Sequence, residues 1–131
     1  MTINNESSAV ILVVEDVEET RHATQQLLTA SGYQVNTAQD EDGAVFDAIH
    51  RRPDLILISP GLYPLRAAAI ARGIRERSEL GEDVPVVIFC VPSLDQGAEV
   101  AVGHNIYMTR PDDFDQLRFF LSRLLKPPRP G

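Results

Sequence analysis

Five short stretches of the chain are apolar and bounded by polar or turn-forming residues, which is the pattern of β-strands. Three of them are nearly continuous apolar runs, as expected for strands that are covered on both faces of a sheet. One stretch alternates between apolar and polar positions, which is typical of a half-buried strand. The pattern predicts five strands, at residues 9–14, 33–38, 55–58, 84–91 and 105–108.

The segment after each predicted strand carries helix signals. Asp16 is suited to cap the first helix, because Glu19 stands three residues further on. Leu27 and Leu28 mark the side of this helix that we expect to be buried. The second helix is predicted over residues 42–51, where Pro53 stops it, and three of its residues are expected to face inward: Val45, Ala48 and Ile49.

Three further helices complete the pattern. Residues 65–77 repeat apolar positions at helical spacing. Capping boxes begin the last two helices, Ser93 with Gln96 and Asp113 with Gln116. The helix at Ser93 is predicted to reach about Val102. The last helix carries an apolar stripe of four residues: Phe114, Leu117, Leu121 and Leu124.

Alternating strands and helices predict an α/β fold. Five strands that each precede a helix imply a five-stranded parallel sheet with five helices on both faces and right-handed crossovers. Ligands of such folds bind at the carboxyl ends of the strands. The candidate chemistry is therefore sought in the residues that follow the strands.

Composition and charge narrow the class of protein. The chain has 131 residues and a formal net charge of −7, which argues against direct binding to nucleic acid or to anionic membrane. No apolar run is long enough to span a bilayer, and no signal peptide is visible, so we expect a cytoplasmic protein. One domain is predicted at residues 9–125, between a disordered lead-in at 1–8 and a Pro-rich tail or linker at 126–131.

Two charged groups at the strand ends allow more than one interpretation. The adjacent carboxylates of Glu15 and Asp16 could hold Mg²⁺, but Asp16 could instead only cap a helix while Glu15 is solvated. Arg110, after the fifth strand, could pair with these carboxylates or lie free on the surface. Cys90 is expected to be a buried small apolar residue. The three histidines, His22, His50 and His104, lack metal-ligand spacing.

Four segments in this order resemble the receiver domain of bacterial two-component response regulators. They are Val10-Ile-Leu-Val-Val-Glu-Asp16, Pro53-Asp-Leu-Ile-Leu-Ile-Ser59, Val84-Pro-Val-Val-Ile-Phe-Cys90 and Tyr107-Met-Thr-Arg-Pro111. The resemblance covers nearly the whole chain. It implies a flavodoxin-like (CheY-like) fold with strand order 2-1-3-4-5.

The resemblance also implies roles for residues at the strand ends. Glu15 and Asp16 occupy the place of the acidic pair that holds Mg²⁺, and Tyr107 that of the switch aromatic. Three positions depart from the family pattern: Ser59 stands in place of the phosphorylated Asp, Cys90 in place of Thr or Ser, and Arg110 in place of Lys. The resemblance further implies a cis peptide bond between Arg110 and Pro111.

These departures predict a degenerate receiver, or pseudo-receiver, that is not phosphorylated on aspartate. A serine hydroxyl at neutral pH is not a nucleophile without a base, and the metal site loses a carboxylate, so Mg²⁺ binding is expected to be weak or absent. The guanidinium of Arg110 would then lie across Glu15 and Asp16 in place of the metal. No cofactor is expected.

The function predicted is that of a signalling module acting through protein–protein contacts, with a fused output domain or a signalling protein as its partner. A homodimer through the face of the fourth helix, fifth strand and fifth helix is a further possibility. On that face we place Val100, Tyr107, Arg118, Phe119, Phe120 and Arg123. The alternatives are regulation by serine phosphorylation at Ser59, or a small flavodoxin-like enzyme or ligand-binding domain.

Overall fold

The computed structural model describes residues 8–61 and 64–125. Its strands are β1 (Val10–Val14), β2 (Gln34–Ala38), β3 (Leu55–Ile58), β4 (Val86–Ile88), β5 (Glu99–Gly103) and β6 (Ile106–Thr109). Its helices are α1 (Glu18–Ala30), α2 (Glu41–His50), α3 (Pro64–Arg77) and α4 (Phe114–Leu125). The predicted tail, and all of the predicted lead-in but its last residue, lie outside the described residues.

One sheet of six strands, in the order β2-β1-β3-β4-β6-β5, forms the centre of the described part of the chain. The first five strands of this order are parallel to one another, and they are the five that the apolar runs predict. Their order is the one that the resemblance implies. Strand β5 is an addition at the edge, where it pairs antiparallel with β6.

The predicted helix at residues 93–102 is wrong. Residues 91–98 form a loop and residues 99–103 form strand β5, so the described part of the chain has four helices and not five. Val100 and Val102 stand two positions apart, which suits a strand, and β-branched residues favour strands over helices. The backbone N–H of Arg110 donates to the carbonyl of Ala98 at 3.0 Å and begins this pairing.

Two layers of buried side chains hold the helices against the sheet. On one face, Leu12 and Ile56 belong to the cluster that α2 and α3 cover. On the other face, Val13 and Leu57 belong to the cluster that α1 and α4 cover. Side chains of a strand alternate between faces, so a continuous apolar strand such as β3 serves both layers.

Two predicted inward residues lie on the surface. Leu27 is 48% exposed whereas its neighbour Leu28 is fully buried, and Ile49 is 60% exposed whereas Ala48 is buried. Adjacent residues on a helix point about 100° apart, so only one of each pair can face the sheet. None of the described helices is long and apolar enough to cross a membrane.

The last helix begins as its capping signals predict. The backbone N–H of Gln116 donates to the carboxylate of Asp113 at 2.9 Å, and the side-chain oxygen of Gln116 accepts from the N–H of Asp112 at 2.6 Å. Leu117 and Leu121 of the predicted stripe are buried. The adjacent phenylalanines separate, since Phe120 is buried and Phe119 is 64% exposed.

Candidate functional site

A cleft of about 300 Å³ opens at the carboxyl ends of β1 and β3. The first turns of α2 and α3 form its other walls. It lies where parallel sheets of this kind place their ligands. Its polar lining residues are Glu15, Asp16, Gln39, Asp40, Glu41, Ser59 and Arg66.

The two carboxylates of the acidic pair lie in different environments. Glu15 is 5% exposed, and its side-chain oxygen accepts the backbone N–H of Val17 at 3.1 Å. Asp16 is exposed and does not cap a helix, because α1 begins at Glu18 and its N-cap residue Val17 has no side-chain bond. The sequence interpretation of Asp16 as a cap is therefore wrong. The turn that carries Asp16 is instead held by Glu15.

Ser59 lies directly after β3 and is half-buried in the cleft. Its backbone N–H donates to the carbonyl of Val14 at 3.0 Å, which fixes it beside the end of β1. The strand register thereby brings the Ser59 position next to the acidic pair, as the strand-end argument predicts. The side chain at this position is a neutral hydroxyl.

The rest of the cleft is dominated by negative charge. Asp40, the N-cap of α2, accepts the N–H of Gly43 at 2.8 Å, and Glu41 pairs with Arg77 at 3.1 Å. Arg66, in the first turn of α3, is the one cationic lining residue among those described. One guanidinium among four lining carboxylates leaves the cleft unfavourable for an added anion such as phosphate.

The described residues of the cleft offer few of the oxygen ligands that a magnesium site needs. Within residues 8–61 and 64–125, no three acidic, histidine or cysteine side chains group closely enough to hold a metal ion. One carboxylate oxygen of Glu15 is engaged by Val17, and Ser59 contributes no charge. Mg²⁺ requires near-octahedral oxygen ligands, usually with carboxylates and phosphate supplying the charge. The cleft therefore lacks the donor set that the resemblance implies.

Arg110 does not pair with the acidic residues, so that predicted contact is wrong. Its guanidinium donates to the carbonyls of Leu94 and Pro92, at 2.9 and 3.4 Å. The loop after β4 folds towards β6 and offers these acceptors close to Arg110. The Arg110–Pro111 peptide is trans, contrary to the expectation from the resemblance.

Cys90 is exposed, and the prediction of a buried cysteine is wrong. It follows β4 with a left-handed backbone, at φ 59°, so the chain turns there and carries the thiol away from the core. It is not among the lining residues of the cleft. Partial desolvation nevertheless raises the pKa of the Cys90 thiol.

The raised pKa predicts slow thiol chemistry at Cys90. Because the thiolate is the nucleophile, a raised pKa lowers its fraction at neutral pH. We expect the rate of reaction with an aromatic disulfide reagent to rise at higher pH in the folded chain than in the same chain unfolded in urea. Equal midpoints of the two pH profiles would contradict this.

Tyr107 is held under α4 and not in the cleft. Its hydroxyl donates to the side-chain oxygen of Asn105 at 2.9 Å. Its ring meets that of Phe120 edge to face, with centroids 5.6 Å apart. The side chain is half-buried in the layer that α1 and α4 cover. Tyr107 is thus packed on the face of the sheet that α1 and α4 cover, away from the cleft.

Three charged residues of the cleft were missed by the sequence analysis. Asp40 and Glu41 follow β2, and β2 lies beside β1 in the predicted strand order, so the strand-end argument would have included them. Arg66 follows β3 at the start of α3. Its position in the first turn after a strand is the signal that would have found it.

Comparison with known proteins gives relatives of one kind. No protein-family model matches the chain. The transcriptional regulatory protein KdpE of Staphylococcus aureus is 31% identical over 110 residues, which cover 82% of this chain and 46% of that protein. The chain spans about half the length of the curated relatives it matches.

Solved structures share the fold. The receiver domain of the hybrid histidine kinase CckA aligns with a TM-score of 0.61 and 25% identity, over 89% of this chain and 99% of that one. The response regulator TrrA from Thermotoga maritima, in complex with Mg²⁺–BeF, aligns with a TM-score of 0.61 and 22% identity, over 88% and 98%.

Proposed function

The chain is a response regulator receiver domain of the CheY-like type, and we propose that it is a pseudo-receiver, which signals by protein contact and carries no phosphate on aspartate. The observation that carries this proposal is the side chain at the end of β3. Ser59 lies in the cleft beside Glu15 and Asp16, at the place where receivers present the phosphorylated carboxylate. An acyl phosphate cannot form on a hydroxyl.

The surroundings of Ser59 support the same conclusion. Transfer of a phosphoryl group needs positive charge around its oxygens, which receivers take from Mg²⁺ and a lysine. Here the acidic pair is a poor metal site, and Arg110 is turned towards the loop at Leu94. Arg110 is therefore turned away from the acidic pair, and we propose that the pair alone holds Mg²⁺ weakly. The cleft therefore disfavours transfer of a phosphoryl group to Ser59.

Phosphorylation of Ser59 by a serine kinase is the second candidate. Arg66 in the same cleft favours it, because a guanidinium can pair with a phosphate ester. The lining carboxylates of Glu15, Asp16, Asp40 and Glu41 disfavour it by repulsion. We infer that the repulsion outweighs the single pairing.

The partner we propose is an output domain or a separate signalling protein. The curated relatives that the chain matches are about twice its length, and several are named transcriptional regulatory proteins. A domain that lacks phosphate chemistry can still present a fixed surface to such a partner. The net charge of −7 favours a protein partner over direct contact with nucleic acid. A small enzyme on this scaffold is disfavoured, since the described residues of the cleft show no nucleophile paired with a base.

The proposal predicts that beryllofluoride, a phosphate mimic that binds carboxylates, leaves the cleft unchanged. We expect the amide NMR signals of Ser59, Gly61 and Arg66 to keep their positions when beryllofluoride and Mg²⁺ are added together. An aspartate-bearing receiver treated in the same way is the control for the reagent. Saturable shifts of these signals would contradict the proposal.

A further inference from the structure

Strand β5 is an edge strand that nothing in the described chain covers. All five of its residues are exposed, and it pairs only with β6. The helix that the sequence predicts here would have covered this end of the sheet. In its absence Val100 and Val102 are 41% and 39% exposed. An edge of this kind is a template for pairing with another strand.

The outward backbone groups of β5 can be identified from its pairing with β6. The N–H of Arg110 donates to Ala98, and Val100 stands opposite Met108. In an antiparallel ladder, alternate residues turn their N–H and C=O groups to the same side. Glu99 and Ala101 therefore direct theirs to the open edge.

β5 also lacks the basic residues and prolines that often protect an exposed edge. It contains no lysine, arginine or proline. Its one charged residue, Glu99, is paired with Arg123 at 2.7 Å, so the carboxylate is turned towards α4 and balanced. The strand is short, apolar in its centre and open on its outer side.

We propose that β5 pairs antiparallel with β5 of a second copy of this chain, around a two-fold axis at Val100. This register sets Glu99 of each copy opposite Ala101 of the other, so the two outward residues form four hydrogen bonds. The Val100 side chains meet across the axis. The partner surface is thus the sheet edge, which joins two six-stranded sheets into one.

Charge and backbone geometry select this register among the close alternatives. A register centred on Glu99 would oppose the two Glu99 carboxylates. A register centred on Ala101 would require regular pairing beyond that residue, where the strand is irregular between Ala101 and Gly103. The register at Val100 uses only the regular part of β5 and separates the like charges.

Phe119 adds apolar contact on the side of the paired β5 strands that faces α4. Arg123 bonds Glu99, and its guanidinium lies 5.4 Å from the centre of the Phe119 ring. Phe119 is thereby placed beside β5 on the α4 face, and it is 64% exposed. In the paired sheet, Phe119 lies next to the line along which the two β5 strands meet. Three cross-strand residue pairs, with one aromatic ring from each copy, make a small interface, so the association is weak and depends on concentration.

Sedimentation equilibrium of the chain at concentrations up to about 1 mM tests this pairing. We expect the weight-average mass to rise with concentration from the monomer mass of 14.5 kDa towards twice that value. Val100→Lys and Val100→Glu should each remain monomeric, since like charges then meet at the axis. Mixing the two variants should restore the dimer. Ile49→Lys, on the exposed side of α2, is the matched control and should dimerise like the parent.

A disulfide cross-link tests which residues lie opposite each other in the two β5 strands. In the non-hydrogen-bonded pair at the axis, the Cα atoms are about 4.5 Å apart, which a disulfide spans. We expect Val100→Cys in a Cys90→Ser background to form a disulfide dimer on oxidation, and Val102→Cys in that background to form much less.

Three results would overturn the pairing. The first is a parent chain that stays monomeric throughout the concentration range. The second is a dimer that survives Val100→Lys. The third is a mixture of folded Val100→Lys and Val100→Glu variants that does not associate, which would show that the side chains at position 100 do not meet across a two-fold axis. The pairing is independent of phosphate chemistry, so its failure leaves the proposed function standing.

Discussion

Ser59→Asp is expected to raise the affinity of the cleft for Mg²⁺ by about tenfold or more. The substitution places a third carboxylate beside Glu15 and Asp16, at the ends of two paired strands. Each added carboxylate increases the attraction for a divalent cation and supplies a further oxygen ligand. Without the metal, the same carboxylate repels its neighbours. Ser59→Asp should therefore unfold at a lower temperature than the parent in chelator and recover when millimolar Mg²⁺ is added.

Ser59→Asn is the matched control, because it has the size of aspartate without the charge. Isothermal titration with Mg²⁺ should give weak or undetectable binding for the parent and for Ser59→Asn. If the parent binds Mg²⁺ as tightly as Ser59→Asp, the acidic pair is a working metal site and the assignment of the cleft is wrong. If Ser59→Asp binds Mg²⁺ no better than Ser59→Asn, the side chains at positions 15, 16 and 59 do not lie close enough together to share a metal ion.

Leu28→Ala and Leu27→Ala are expected to differ sharply in stability. Leu28 is fully buried against the sheet, so its truncation removes apolar contacts and leaves a cavity, at a cost of about 2–5 kcal/mol. Leu27, one residue earlier, is 48% exposed, and its truncation should cost less than about 1 kcal/mol. Urea unfolding followed by circular dichroism measures both. Equal losses in the two variants would show that α1 does not present the face described.

The parallel part of the sheet could be predicted from sequence because its strands are buried on both faces. A continuous apolar run such as Leu55–Ile58 has few other interpretations when polar and turn residues bound it. Which side of each helix packs against the sheet was harder to predict. In pairs such as Leu27 with Leu28, and Ala48 with Ile49, apolar character alone does not show which member meets the sheet.

Local signals misled the interpretation of residues 93–102. Ser93 and Gln96 have the spacing of a capping box, but a box only begins a helix if the following residues favour one. Here the following segment contains Val100 and Val102, and pairing with β6 satisfies its backbone. That pairing joins residues that are three to ten positions apart, so a signal carried by one or two residues does not reveal it.

The positions of the candidate site residues could be predicted better than the directions of their side chains. Strand register alone brings Ser59 to the acidic pair, so the strand ends were sufficient to find the cleft. The directions of Cys90 and Arg110 depend on the path of the loop after β4. The left-handed turn at Cys90 and the carbonyl of Leu94 decide these directions, and neither follows from residue type.

The central claim is that the cleft lacks the carboxylate on which a receiver carries phosphate. Intact mass spectrometry of the chain after incubation with acetyl phosphate and Mg²⁺, beside an aspartate-bearing receiver, tests it most directly. We expect an unchanged mass for this chain and an added phosphoryl group on the comparison protein. An added phosphoryl group on this chain that hydroxylamine removes would be an acyl phosphate, and the chain would then not be a pseudo-receiver.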